Sequence, residues 1–204
     1  MKKLLFILLM LPIVAHAQFG VRPEVGIVLG KPGGELFEYL DLNAHVGFSV
    51  GAHAFYKLPF GAKFSLGAKY MSQKWGAYVA RGDDPLIPHS TSVNFEYNSI
   101  HIPALAGYEI GFGNIMLFAD AGVSYSFGLK YMEEDFSKNA FNLIVDCGVG
   151  YKLNSMLTLK LWGEYGKGLQ DFTMEVSSEI NPNKKLSLEI PYYFGIKVGV
   201  DIYF

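Results

Sequence analysis

Apolar and polar positions alternate along most of this chain with a period of two. The clearest run is Tyr192–Phe204. Its even positions are Tyr192, Phe194, Ile196, Val198, Val200, Ile202 and Phe204, and its odd positions are Tyr193, Gly195, Lys197, Gly199, Asp201 and Tyr203. Successive side chains of a strand point to opposite faces, so one face is apolar and the other small or charged. The same alternation predicts eight strands, over 19–29, 44–57, 62–74, 93–110, 114–128, 140–152, 156–169 and 192–204. In the second, Val46, Phe48, Val50, Ala52, Ala54 and Tyr56 oppose His45, Ser49 and His53. In the fifth, Ile115, Leu117, Val123 and Phe127 oppose Asp120, Ser124 and Ser126, and in the sixth Phe141, Leu143, Val145, Cys147 and Val149 oppose Asn142 and Asp146.

The connections alternate in length. Leu58–Gly61, Gly111–Gly113 and Leu153–Ser155 are tight, with Pro, Gly or Asn where a hairpin needs a fixed or positive φ. Segments 30–43, 75–92, 129–139 and 170–191 are long. Short turns at one end and long loops at the other are the rhythm of bacterial outer-membrane barrels, and an even strand number returns both termini to the short-turn side. Each strand is long enough to cross a bilayer at a tilt of about 45°.

A soluble sandwich would turn the apolar face inward, whereas an outer-membrane barrel turns it toward lipid. The N-terminus favours the second arrangement. Met1-Lys2-Lys3 is basic, Leu4 to Val14 is apolar, and Ala15-His16-Ala17 has small residues at the spacing of a cleavage site, which predicts a signal peptide over 1–17. The apolar run is too short to span about 30 Å of hydrocarbon as a helix. The rest, 18–204, reads as one domain. Half of the residues are hydrophobic, with 13 Tyr, 16 Phe and 23 Gly, and the single Cys147 allows no internal disulfide. A net charge of −2 argues against a nucleic-acid partner. The expectation is an all-β, eight-stranded, antiparallel, up-and-down transmembrane β-barrel in a bacterial outer membrane. Aromatics at the ends of the outward faces (Tyr56, Tyr70, Tyr108, Tyr125, Phe141, Tyr151, Tyr165, Tyr192) would form its two interfacial girdles.

The same parity assigns the inward face. It places Arg22, Glu24, Lys69, Glu109, Asp120, Asp146, Lys160, Glu164, Lys197 and Asp201 in the lumen. Eight strands enclose a space only wide enough for side chains, so charges of mixed sign should pair there as a structural network. A path for small ions or solutes is the sharper alternative.

Catalytic chemistry finds little support. His45 and His53 lie about 26 Å apart along one strand and cannot share a metal ion. No zinc-like cluster, phosphate loop or nucleophile elbow occurs. A lipid-modifying enzyme would need a nucleophile and base on the outer face, yet His45, His53 and His101 fall on the inward register. No enzyme, cofactor or metal is therefore expected. Arg81-Gly82-Asp83 matches a cell-adhesion tripeptide, but three residues match readily by chance. Loop 75–92 also holds Asp84, Pro85 and Pro88, loop 129–139 holds Glu133-Glu134-Asp135, and loop 170–191 holds Asn181-Pro182-Asn183-Lys184-Lys185. Loops on a rigid scaffold commonly carry binding, and these are the candidate binding elements.

The Gly-rich first strand, Gly20 to Gly30, and the segment Ile100-His101-Ile102-Pro103-Ala104-Leu105-Ala106-Gly107-Tyr108 resemble the small outer-membrane β-barrel family of Bacteroidetes, the PorT-like, porin-like barrels. The family carries Glu where this chain has His101. A proline inside a strand predicts a bulge at Pro103. A namesake of the family serves protein secretion across the outer membrane, so the resemblance implies an accessory transport role as the alternative to structural or loop-binding work. By resemblance to other outer-membrane barrels, Phe204 ends the assembly signal read by the barrel-assembly machinery. The expected partners are that machinery, outer-membrane lipid, lipopolysaccharide, and an extracellular or envelope protein of unknown identity.

Overall fold

The computed structural model describes residues 18–33, 41–79, 91–130, 139–169, 171–175 and 185–204. The signal segment 1–17, the Arg81-Gly82-Asp83 tripeptide, His89, Glu133-Glu134-Asp135 and Asn181–Lys184 lie outside the described residues.

The elements are β1 (Gln18–Gly33), β2 (Asp41–Lys57), β3 (Ala62–Val79), β4 (Thr91–Phe112), β5 (Ile115–Lys130), β6 (Asn139–Lys152), β7 (Leu157–Gly168), β8 (Asp171–Glu175) and β9 (Lys185–Tyr203). Each strand from β1 to β7 pairs antiparallel with the next, β7 pairs with β9, and β9 returns to β1. Eight strands therefore close into a barrel with no free edge in the ring. Strand β8 pairs only with the start of β9, beyond the end of β7. The expected loop 170–191 thus begins and ends in strand, and every strand of the ring except β7 runs further toward the long-loop end than the alternation predicts.

The short turns follow their sequences. Gly61 (φ +99°) and Gly113 (φ +64°) occupy left-handed positions that a side chain would strain. In the third turn the Asn154 side chain accepts hydrogen bonds from the backbone N–H of Met156 and Leu157, both at 2.8 Å, which replaces a backbone turn.

Alternation sets the two faces. The outward face is apolar and exposed, with Val46 at 61%, Leu66 at 60%, Ile110 at 50% and Phe194 at 48%. These exposed side chains ring the barrel as the kind of surface a hydrocarbon solvent covers. Aromatic pairs mark its limits: Tyr165 stacks on Tyr192 near the long-loop end, and Phe19 stacks on Phe204 near the short turns. Tyr125 packs against both Phe127 and Phe141, again toward the long loops.

Two expectations need correction. Pro103 makes no bulge. The β3–β4 ladder skips the two rungs between Leu66–Ala104 and Lys69–His101, then resumes in the same register. The proline lacks an N–H to donate, and the ladder absorbs that loss without an extra residue. Pro23 interrupts the β1–β9 seam in the same way, between Val21–Ile202 and Glu24–Gly199. The actual irregularities fall at His45/Phe48 in β2–β3, Asn98/Ser99 in β4–β5 and Lys31/Gly33 in β1–β9. The first of these explains the second correction: His45 lies beyond that shift and is exposed rather than lumenal, so it does not share the face of His53.

Candidate functional site: the ion-paired lumen

All ten charged residues assigned to the lumen by parity lie inside the barrel, none more than 5% exposed. Three more basic groups join them. Lys63 and His53 are buried, and Lys57 stands at the short-turn rim with its side chain 16% exposed. Among the described residues six cations (Arg22, Lys57, Lys63, Lys69, Lys160, Lys197) thus share the interior with six carboxylates (Glu24, Glu109, Asp120, Asp146, Glu164, Asp201).

They form two linked clusters. Near the short turns, Glu109 of β4 accepts from Lys63 at 2.9 Å and from Lys160, and its other oxygen forms an ion pair with Lys57 at 2.6 Å. Lys63 also reaches Asp120 at 2.9 Å, and Lys160 reaches Asp201 at 2.6 Å. Toward the long loops, Lys197 bridges Glu24 at 2.9 Å and Glu164 at 2.8 Å, while Lys69 holds Glu164 at 2.5 Å and donates to the Tyr193 hydroxyl at 3.4 Å. His53 lies 3.3 Å from Glu24. Arg22 joins the clusters, 3.8 Å from Glu24 and 3.7 Å from Asp120, with its guanidinium 4.8 Å from the Trp162 ring centre. Two pairs cross the lumen, Lys69 on β3 to Glu164 on β7 and Lys160 on β7 to Glu109 on β4, and brace opposite walls, while Lys197–Glu24, Lys197–Glu164, Lys160–Asp201 and Lys63–Glu109 each tie neighbouring strands.

Aromatic rings support the cations. Lys63 and Lys160 sit over Phe118, Lys57 over Tyr203, and Lys69 over Tyr193. A ring face offers negative quadrupole where water has been excluded. Trp162, Phe118, Phe55, Met71 and Met116 fill the remaining space and are themselves buried. Farther toward the long loops the filling is uncharged: Ser99 lies 2.9 Å from His101 Nε2, and Asn142 donates to Ser126 at 3.0 Å.

Asp146 is the exception. Its rung places it directly between Asp120 on β5 and Glu164 on β7, so three carboxylates stand side by side on adjacent strands. The two flanking acids take the lysines, and Asp146 has no ion pair among the described residues. Even so, no three His, Cys, Asp or Glu side chains among the described residues are placed to hold a metal ion. The Ser99–His101 pair is fully buried, out of reach of a substrate.

Sequence reasoning missed Lys63 although it lies six residues from Lys69 on the same strand face, and missed Lys57 although it continues the Ser49–His53 register. Parity alone was sufficient to find both.

No protein-family model matches the chain, and no curated protein does. Two solved outer-membrane barrels are similar in fold. Neisserial surface protein A is 17% identical, with 92% of this chain and 99% of that chain covered and a TM-score of 0.57. The outer membrane protein OprG from Pseudomonas aeruginosa is 11% identical, with 92% and 96% covered and a TM-score of 0.65. The likeness is one of architecture: a closed, eight-stranded antiparallel barrel of the outer-membrane type.

Proposed function

We propose that this chain is a bacterial outer-membrane β-barrel whose lumen is a closed structural strut and whose work is binding through the long-loop end. One observation carries the reading. The charges that could line a pore are paired with one another inside the barrel, two of the pairs spanning it, and the space between them is filled by Trp162, Phe118 and Tyr193. A solute path would require these buried pairs to part, and an orphaned buried charge is costly. What remains is a rigid cylinder presenting four loops, the usual architecture for recognition.

Catalysis has no place in this reading, since the outward face offers no nucleophile and base together among the described residues. Signal cleavage before Gln18 and recognition of Phe204 by the assembly machinery belong to it, as does membership of the PorT-like barrels, which rests on the Ile100–Tyr108 segment. Phe204 is 74% exposed and therefore accessible to such machinery.

Planar-bilayer recording of the purified barrel tests the closed lumen, and reproducible unitary conductance steps would refute it. Affinity capture from intact outer membranes tests the loops. A partner should be retained by the full barrel and lost when segment 80–90 is replaced by a short Gly-Ser linker.

A further inference from the structure

The outward faces of β7, β9 and β1 form a track that crosses the apolar belt. Its rung nearest the long loops joins Tyr192 to Lys167 on β7 and to Lys31 on β1. Tyr192 and Lys167 are exposed, and the Tyr192 ring stacks on Tyr165 at 6.4 Å and 29°. Lys167 has no acidic partner among the described residues, unlike Lys74 at the same end of β3, which lies 3.9 Å from Glu96. An unneutralised ammonium beside a tyrosine pair, at the edge of an apolar belt, stands at headgroup height.

Down the track the surface changes from bulky to hollow. Phe194 leans over Gly163, and then the short side chains of Val198 and Val200 lie between Leu159 on one side and Pro23 and Val25 on the other. They leave a groove of about 370 Å³ with apolar walls, over the rungs that Pro23 interrupts. Six residues of β9 separate Tyr192 from Val198, about 20 Å of strand. At a tilt of about 45° that is about 14 Å of depth, half the ~30 Å hydrocarbon core and so the thickness of one leaflet.

We propose that this track binds a single phosphate-bearing membrane lipid: Lys167, beside Tyr192, holds the headgroup phosphate, and one acyl chain follows β9 into the groove at Val198 and Val200. The ammonium supplies charge-assisted hydrogen bonds to phosphate oxygens. The groove supplies contact that a uniformly bulky belt does not, so one chain is held in place rather than exchanging with its neighbours.

Native mass spectrometry of the barrel released from nanodiscs tests the site. The discs contain phosphatidylcholine with a minor fraction of dimyristoyl phosphatidic acid. Wild type should retain one phosphatidic acid in preference to phosphatidylcholine. Lys167→Gln should lower that retention about fivefold. Val198→Trp, which fills the groove, should remove the advantage of the myristoyl lipid over its short-chain analogue. Lys152→Gln, at the opposite end, should change nothing, and heat-modifiable gel migration verifies that each variant is folded. Equal retention of both lipids overturns the proposal. So does retention indifferent to K167Q or V198W, or displacement of the lipid by inorganic phosphate alone.

Discussion

Lys197 on the last strand lies 2.9 Å from Glu24 on the first, so the pair that fills the lumen also ties the seam where the sheet closes on itself. The same ammonium holds Glu164 of β7 at 2.8 Å, which makes it the common cation of three adjacent strands. Replacing Lys197 by Met leaves two buried carboxylates without their shared partner. The expected cost is about 3–5 kcal/mol. Urea unfolding of the barrel in lipid vesicles measures it, and the double variant E24Q/K197M should lose less than the sum of the single changes. A loss under about 1 kcal/mol in K197M would show that the pair does not hold the seam.

Asp146 predicts the opposite behaviour from its neighbours. It stands between Asp120 and Glu164 on adjacent strands, and like charges directly opposite one another destabilise a sheet. Asp146→Asn removes that repulsion and keeps the shape, so stability should hold or rise by about 1 kcal/mol. Glu164→Gln, in contrast, takes the counter-charge from Lys69 and Lys197 and should lose about 3 kcal/mol or more. The same unfolding experiment compares them. If D146N proves as damaging as E164Q, then Asp146 carries a structural pairing of its own.

The barrel was legible because a strand's period of two survives any loop length, and because each short turn announces itself through Pro59-Phe60-Gly61, Gly113 or Asn154. The ten lumen charges were legible for the same reason. Which charge meets which was not, since Lys197 and Glu24 are neighbours only after the sheet has closed. His45 shows where parity fails: a register shift between it and Phe48 breaks the count, and nothing in the local sequence marks the shift. Pro103 misled in the other direction. Its missing N–H was legible, but whether the ladder would gain a residue or simply skip two rungs depended on the partner strand.

Arg22 is held by charge and stacking rather than by directed hydrogen bonds. Its nearest carboxylates are 3.7 and 3.8 Å away, none of its three side-chain nitrogens has a hydrogen-bond partner, and Trp162 supplies its flat contact. Trp162→Leu should therefore remove both the ring beneath the guanidinium and much of the filling between the clusters, at a cost of about 3–5 kcal/mol. Arg22→Lys keeps the charge but cannot reproduce a planar stack, and should lose a smaller amount, about 1–2 kcal/mol. Thermal unfolding of the two variants in one detergent gives the order. R22K more damaging than W162L would mean that hydrogen bonding outweighs the stack.

Gly107 connects the backbone to this network most directly. It lies across from Asp120, and a Cβ at that position would meet the Asp120 carboxylate and the backbone oxygen of Ala119. The carboxylate could swing aside, but it would then leave Lys63, which it holds at 2.9 Å, while the Ala119 carbonyl is part of the β4–β5 ladder and has no such freedom. Gly107→Ala should therefore cost about 1–3 kcal/mol through overpacking, even though alanine ordinarily suits a strand better than glycine does. Coupling to the lumen gives the prediction its sharper form. In a background where Lys63 is already Met, part of what Gly107→Ala would have broken is gone, so the two losses should fall short of additive by about 0.5 kcal/mol or more. Full additivity would place the strain of G107A in the ladder alone.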